Sequence, residues 1–158
     1  MKHLLIVFHS KTGHTAALVE AARNGATDES LDPVELRCLT ASAAGADDLL
    51  WADGLILATP ENFGYMSGAL KDFLDRTFYE VEGKLLALPY ALLVGAGNDG
   101  TGAIRAIERI ANGYPFVKVQ EPVISRLTSV DQSPDQDTLM RCREIGMTMA
   151  AGLAMDIF

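Results

Sequence analysis

Cysteine, basic clusters and long apolar runs are all scarce in this chain, and each scarcity removes a class of function. Only two cysteines occur in 158 residues. They are Cys38 and Cys142, with no C-x-x-C spacing, so a disulfide framework or zinc site is not expected and both thiols read as reduced, small apolar groups. Lysine and arginine together number 13 against 21 acidic residues, a net charge of −8. The basic residues are scattered from Lys2 to Arg143 without a block, so neither nucleic acid nor an anionic membrane is an expected partner. The apolar run from Leu4 to Phe8 is too short for the core of a signal peptide, and no stretch approaches membrane-spanning length. A cytoplasmic, soluble chain is the expectation.

What is present is a 49% apolar composition, enough for one well-filled core and hence one domain over the whole chain. Short apolar runs at His3 to His9, Val34 to Leu39, Gly54 to Thr59, Tyr90 to Ala96 and Phe116 to about Leu127, the last interrupted by Pro122, alternate with helical segments. That alternation predicts a five-stranded parallel α/β sheet, helices on both faces, in the doubly wound order 2-1-3-4-5. The helices have readable ends. The first is expected from Thr15 to Asn24-Gly25, and a short one over Ala43 to Ala52 turns Leu49, Leu50 and Trp51 inward. The third, Ser67 to Phe78, carries Leu70, Phe73, Leu74 and Thr77 on one face. The fourth, Gly102 to Ala111, carries Ile104, Ile107 and Ile110. Ser133-Pro134-Asp135-Gln136 reads as a capping box opening the last.

In such a sheet the ligand crevice lies beyond the carboxyl ends of the strands, so the loops after strands 1, 3 and 4 matter most. After strand 1, hydroxyls at Ser10, Thr12 and Thr15 surround Gly13 just before a helix. One hydroxyl would only cap the helix; three around a glycine point to a phosphate held by backbone N–H donors and the helix dipole. After strand 3 stands Pro60-Glu61-Asn62-Phe63-Gly64. Pro60 holds the chain extended, Phe63 offers a flat apolar surface and Gly64 permits close backbone approach. After strand 4, Gly95 to Gly100 spells G-x-G-x-x-G, literally a dinucleotide fingerprint. That fingerprint normally occupies the first β-α turn, which here has its own phosphate loop. Glu121 stands where a ribose-binding acid could sit.

Ser10-Lys11-Thr12-Gly13-His14-Thr15 and the stretch Thr59 to Thr77 resemble the phosphate loop and second flavin loop of flavodoxin-like NAD(P)H:quinone reductases and NADPH-dependent FMN reductases. The resemblance implies FMN, its phosphate on Ser10 to Thr15 and its ring against Pro60 to Gly64. The third loop, Gly97-Asn98-Asp99-Gly100, would close around the pyrimidine side, with Asp99 lending negative charge. It further implies NAD(P)H as co-substrate, a quinone or other small acceptor, and a homodimer or homotetramer, since related reductases build sites between subunits. Phe63, Tyr65, Phe78 and Tyr79 are candidate walls for the acceptor, Phe78 and Tyr79 equally fitting core or subunit contact.

Flavodoxin-type carriers of single electrons share this fold and acidity, but typically sandwich the ring between aromatic residues, one of them a tyrosine in the third loop. Gly95 to Gly102 contains no aromatic residue, which favours an open ring face and hydride transfer. The three histidines, His3, His9 and His14, all precede the second strand, so the downstream histidine common in quinone reductases is missing and no protein residue is assigned as catalytic. His14 reads as a neighbour of the phosphate. A low-molecular-weight phosphatase would need C-x-x-x-x-x-R in the first loop, and a response regulator an aspartate where Ala58-Thr59-Pro60 stands.

Overall fold

The computed structural model describes residues 1–129 and 132–158. Strand β1 (His3–Phe8) sits between β2 (Glu35–Thr40) and β3 (Gly54–Asn62), parallel to both, with Ile6 opposite Cys38 on one side and Ile56 on the other. β3 continues the sheet to β5 (Leu88–Ala96) through pairs such as Leu57 with Leu92. The far edge is shared by two short strands. β6 (Phe116–Lys118) lies on the first half of β5 and β7 (Val123–Arg126) on the second half. Pro122, between them, has no N–H to donate to a ladder, so the expected last strand is broken in two where an edge tolerates it. Setting aside β4 (Tyr65–Met66), a short antiparallel strand on β3, and counting β6 and β7 as one strand gives the expected order 2-1-3-4-5.

Helices α1 (His14–Ala26) and α5 (Gln136–Ala154) cover one face of the sheet, and α2 (Ala46–Trp51), α3 (Gly68–Val81) and α4 (Thr101–Gly113) cover the other. Side chains alternate across each strand. Leu5, Val7, Leu55 and Leu57 enter the core under α2, α3 and α4, while Leu4, Ile6 and Ile56 enter the core under α1 and α5. Burial on both faces is what makes the strands near-continuous apolar runs.

Three expectations about the helices change. Gly25 does not end α1; it lies inside it, where a Cβ would come within 1.9 Å of the Arg143 carbonyl oxygen, and a Cβ on Gly146 of α5 would come equally close to that of Ala22. These glycines let two helix backbones touch, and Arg143 adds a hydrogen bond of 3.0 Å to the Asn24 carbonyl. The capping residue of α5 is Asp135, accepting from the Thr138 N–H at 2.7 Å, so Pro134 precedes the helix. A carboxylate at that position meets the helix dipole as well as the N–H, which a serine cannot. In α2, Leu49 is buried but Leu50 faces outward. Trp51 is half-buried, its ring stacked on His3 and covered by the Arg37 guanidinium 3.9 Å from its centroid.

A candidate mononucleotide cleft

Beyond the carboxyl ends of β1, β3 and β5 lies a cleft of about 730 Å³, within the range of small-molecule sites. Lys11, Thr12, His14 and Thr15 of the first loop form one wall, and Pro60, Glu61 and Asn62 form a second. Gly95, Ala96 and Gly97 form the floor, and Leu127, Thr128 and Ser129, after β7, close the remaining side.

The first wall is the N-terminus of α1. Gly13 takes φ 94° as its N-cap residue, a conformation that favours glycine. Ser10 Oγ reaches forward to accept from the Ala16 N–H at 3.1 Å. Ser10 and Gly13 therefore shape the loop, while Thr12 and Thr15 turn towards the cleft. Helix geometry leaves the N–H groups of His14 and Thr15 without intrahelical carbonyl partners, an arrangement suited to an anion.

His14 is buried at the start of this helix. Its Nε2 lies 2.9 Å from Ser125 Oγ on β7, and its Nδ1 is buried without a hydrogen bond. The ring packs so closely on β5 that a Cβ at Gly95 would stand 2.7 Å from its Cδ2. The first glycine of the G-x-G-x-x-G match thus makes room for His14. Burial pushes the imidazole pKa down, with the Gln132 backbone opposing. Unfolded, the side chain takes a proton near pH 6.5; folded, it resists, so the unfolded state binds more protons below that pH. The stability His14 allows is complete above about 6.5 and is lost as pH falls below it. Denaturation midpoints between pH 7 and 5 should therefore drop less steeply in His14→Asn than in the natural chain.

The second loop is a hairpin. β3 runs on past the sheet, and β4 (Tyr65–Met66) folds back antiparallel on it, pairing with Glu61 and Asn62. The turn residues Phe63 and Gly64 both have positive φ, 51° and 71°, the requirement of the tight turn that matches strand twist. Phe63 is fully exposed at the tip and, with Gly64, stands outside the cleft lining. At the hairpin base the buried Thr59 hydroxyl accepts from the Ser67 N–H at 2.9 Å, and Ser67 in turn caps α3.

The third loop separates into parts. Gly97 has open space where a side chain would be, so backbone alone faces the cleft. Asn98 and Asp99 lie outside the lining: the Asn98 carbonyl accepts from Arg126 Nε at 3.1 Å, and Asp99 Oδ1 accepts from the Thr101 hydroxyl and N–H at 2.8 and 3.1 Å. Those bonds, the hydroxyl first, hold the Asp99 carboxyl below the usual range. Gly100 takes φ 76° to start α4. Glu121 is on the sheet edge between β6 and β7, away from the cleft, so the acid expected of a dinucleotide fingerprint is not at the site.

The carboxylate that does line the cleft is Glu61. Its Oε2 accepts from the N–H groups of Gly102 and Ala103 at 3.0 and 3.2 Å, and Oε1 from that of Gly100 at 3.3 Å. A Cβ on Gly102 would come 1.9 Å from the Gly64 carbonyl oxygen, so the hairpin rests directly on α4. Phe78 and Tyr79, expected as acceptor walls, lie near the end of α3 remote from the cleft; Phe78 packs edge-on against Tyr114 and Tyr79 is exposed. The sequence reading missed Leu127, Thr128 and Ser129. The available signal was positional: β7 is parallel to the others, so its carboxyl end opens on the same crevice. Gln132 Oε1 holds Thr128 there, accepting from its N–H at 2.8 Å and its hydroxyl at 2.9 Å.

An archaeal flavodoxin superposes with a TM-score of 0.78 over 96% of this chain and 99% of its own, at 18% identity, which establishes the fold. A protein named flavodoxin from Aquifex aeolicus is 33% identical over 121 residues, 74% of this chain and 64% of that one. An NAD(P)H dehydrogenase (quinone) from Acidithiobacillus ferrooxidans is 34% identical over 95 residues, covering 49% of this chain and 48% of its own. The chain thus spans about half to two-thirds the length of these relatives. The family described as NADPH-dependent FMN reductase matches residues 2–125, a span that contains the first three cleft loops and ends at the serine that holds His14, and this chain belongs to that family.

Proposed function

We propose that the protein is an FMN-dependent NAD(P)H oxidoreductase that passes the electron pair to a quinone or another small acceptor. The observation that carries the proposal is the character of the cleft walls: among the described lining residues there is no phenylalanine, tyrosine or tryptophan. A flat ring seated against Pro60 and Gly97 would keep one face free for a second planar molecule, the geometry that hydride transfer demands. Bound FMN would supply the redox chemistry, taking hydride from the nicotinamide and returning two electrons to the acceptor.

The residues fit the mononucleotide. The dipole and N–H groups of α1 suit its phosphate, with Thr12 and Thr15 as neutral donors and Lys11 as the nearby cation. Gly97 brings bare backbone to the floor, where N–H and C=O groups can pair with the polar edge of a ring. Asn62 and Thr128 also line the cleft. The hairpin tip that follows Asn62 carries Phe63 and Tyr65 on an exposed rim, and these remain the aromatic candidates for contact with the acceptor.

The Aquifex aeolicus relative named flavodoxin supports a second reading, single-electron carriage, and one experiment separates the two. FMN-loaded protein mixed anaerobically with NADPH or NADH should lose its oxidised flavin absorbance in a single phase, and a quinone should restore it. No reaction with either nicotinamide, alongside tight FMN binding, would make the protein a carrier.

A further inference from the structure

The N-termini of α1 and α4 follow the first and third loops, both of which line the cleft, and a helix N-terminus is a ready-made seat for an anion. They are treated differently by the chain. At α1 Ser10 takes only the Ala16 N–H, and the N–H groups of His14 and Thr15 are left without intrahelical carbonyl partners beside the neutral hydroxyls of Thr12 and Thr15. At α4 three N–H groups, those of Gly100, Gly102 and Ala103, converge on the carboxylate of Glu61, a residue 39 to 42 positions earlier in the chain. Glu61 is paired with Met66 in the hairpin, so the carboxylate also fixes the second loop to the third. The Gly64 carbonyl seated against Gly102 is a second point of contact between the same two loops.

We propose that Glu61 is the positioning residue of the cleft: it fills the anion seat of α4 from within, holds Gly97 and the hairpin in register, and leaves α1 as the helix end that takes a ligand's phosphate. The identity of that phosphate as the FMN phosphate rests on the proposed function; the seating of Glu61 does not. A G-x-G-x-x-G loop whose helix end is already occupied by a carboxylate cannot also cradle a pyrophosphate, because the two anions would compete for the same donors and repel each other. Glu61 therefore also makes the third loop a flavin-facing loop in place of a dinucleotide-binding one.

The test is rescue by a small carboxylate. Glu61→Ala should lower the melting temperature of the full chain, speed amide exchange at Gly102 and Ala103 about tenfold, and weaken FMN binding about tenfold. Formate should reverse the exchange and part of the thermal loss, while chloride at equal ionic strength should not. Inorganic sulfate should bind the variant at one more site per chain than it binds the natural protein. Should Glu61→Ala fail to fold, Glu61→Gln, which fills the same volume without charge, carries the test: exchange at Gly102 and Ala103 should accelerate while Leu92 and Leu93 in β5 stay protected. Unchanged exchange in either variant, or formate and chloride acting alike with no added sulfate site, would overturn the proposal. Natural protein that shows formate-specific rescue of its variant yet does not bind FMN would refute the flavin reading and leave the role of Glu61 intact.

Discussion

Glutamate in place of Thr15 should raise the dissociation constant for FMN by about a thousandfold. Thr15 is buried at the second position of α1 and lines the cleft, so a carboxylate there takes the helix N–H donors and stands against the phosphate. Two like charges about 4 Å apart repel by about 4 kcal/mol at an effective dielectric of about 20, which is nearly three decades of affinity. Thr15→Val keeps the shape and removes only the hydroxyl. It should cost about tenfold, the worth of a hydrogen bond to a charged group at about 1.5 kcal/mol. Fluorescence titration of FMN into both variants checks this, with urea denaturation to confirm that each is folded. A Thr15→Glu protein that binds FMN as the natural chain does would exclude the α1 terminus as the phosphate site.

Alanine at Gly102 should cost about 3 kcal/mol of stability and loosen the cleft as well. Its Cβ would fall 1.9 Å from the Gly64 carbonyl oxygen, and the obstacle is backbone, which cannot rotate aside as a side-chain end could. Overpacking of this kind typically costs about 1 to 3 kcal/mol, and the rigid partner places this site at the upper end. A domain with a total stability of about 5 to 15 kcal/mol survives it. The relief available is a shift of the hairpin away from α4, which stretches the Glu61 bonds to Gly102 and Ala103. Urea midpoints, with amide exchange at those two residues, should show both effects. A stability loss with no change at the two amides would mean that the chain absorbs the methyl elsewhere.

Asp99, expected from the sequence to lend charge to the third loop, stands outside the cleft lining. That carboxylate is exposed and turned to Thr101, so Asp99→Asn should leave FMN affinity unchanged. The bonds that depress its pKa supply stability present above the ordinary carboxylate range and lost as pH falls through the folded value.

The doubly wound order, the two-faced core and the three crevice loops were legible because they rest on local signals. Apolar runs of strand length can be buried on both faces only if helices cover both, and Ser, Thr and Gly clustered between an apolar run and a helical segment mark a loop by their turn chemistry. The break at Pro122 was legible for the same reason, since a missing N–H is a property of the residue itself. What the sequence could not determine was which polar group would meet which. Glu61 and Asp99 are both acids in crevice loops, and nothing in their neighbours says that the first spans to α4 while the second turns back on Thr101. The glycines of Gly95-Ala96-Gly97-Asn98-Asp99-Gly100 spell one motif, yet the fold uses them separately: Gly95 for the His14 ring, Gly97 for bare backbone at the floor, Gly100 for a left-handed turn. Gly25 likewise reads as helix punctuation until α1 and α5 are seen in contact. Periodicity and turn chemistry act between near neighbours and are written along the chain, whereas the bonds of Glu61 to α4, of His14 to Ser125 and of Arg143 to Asn24 join residues 39, 111 and 119 positions apart, and only the packed sheet brings those together.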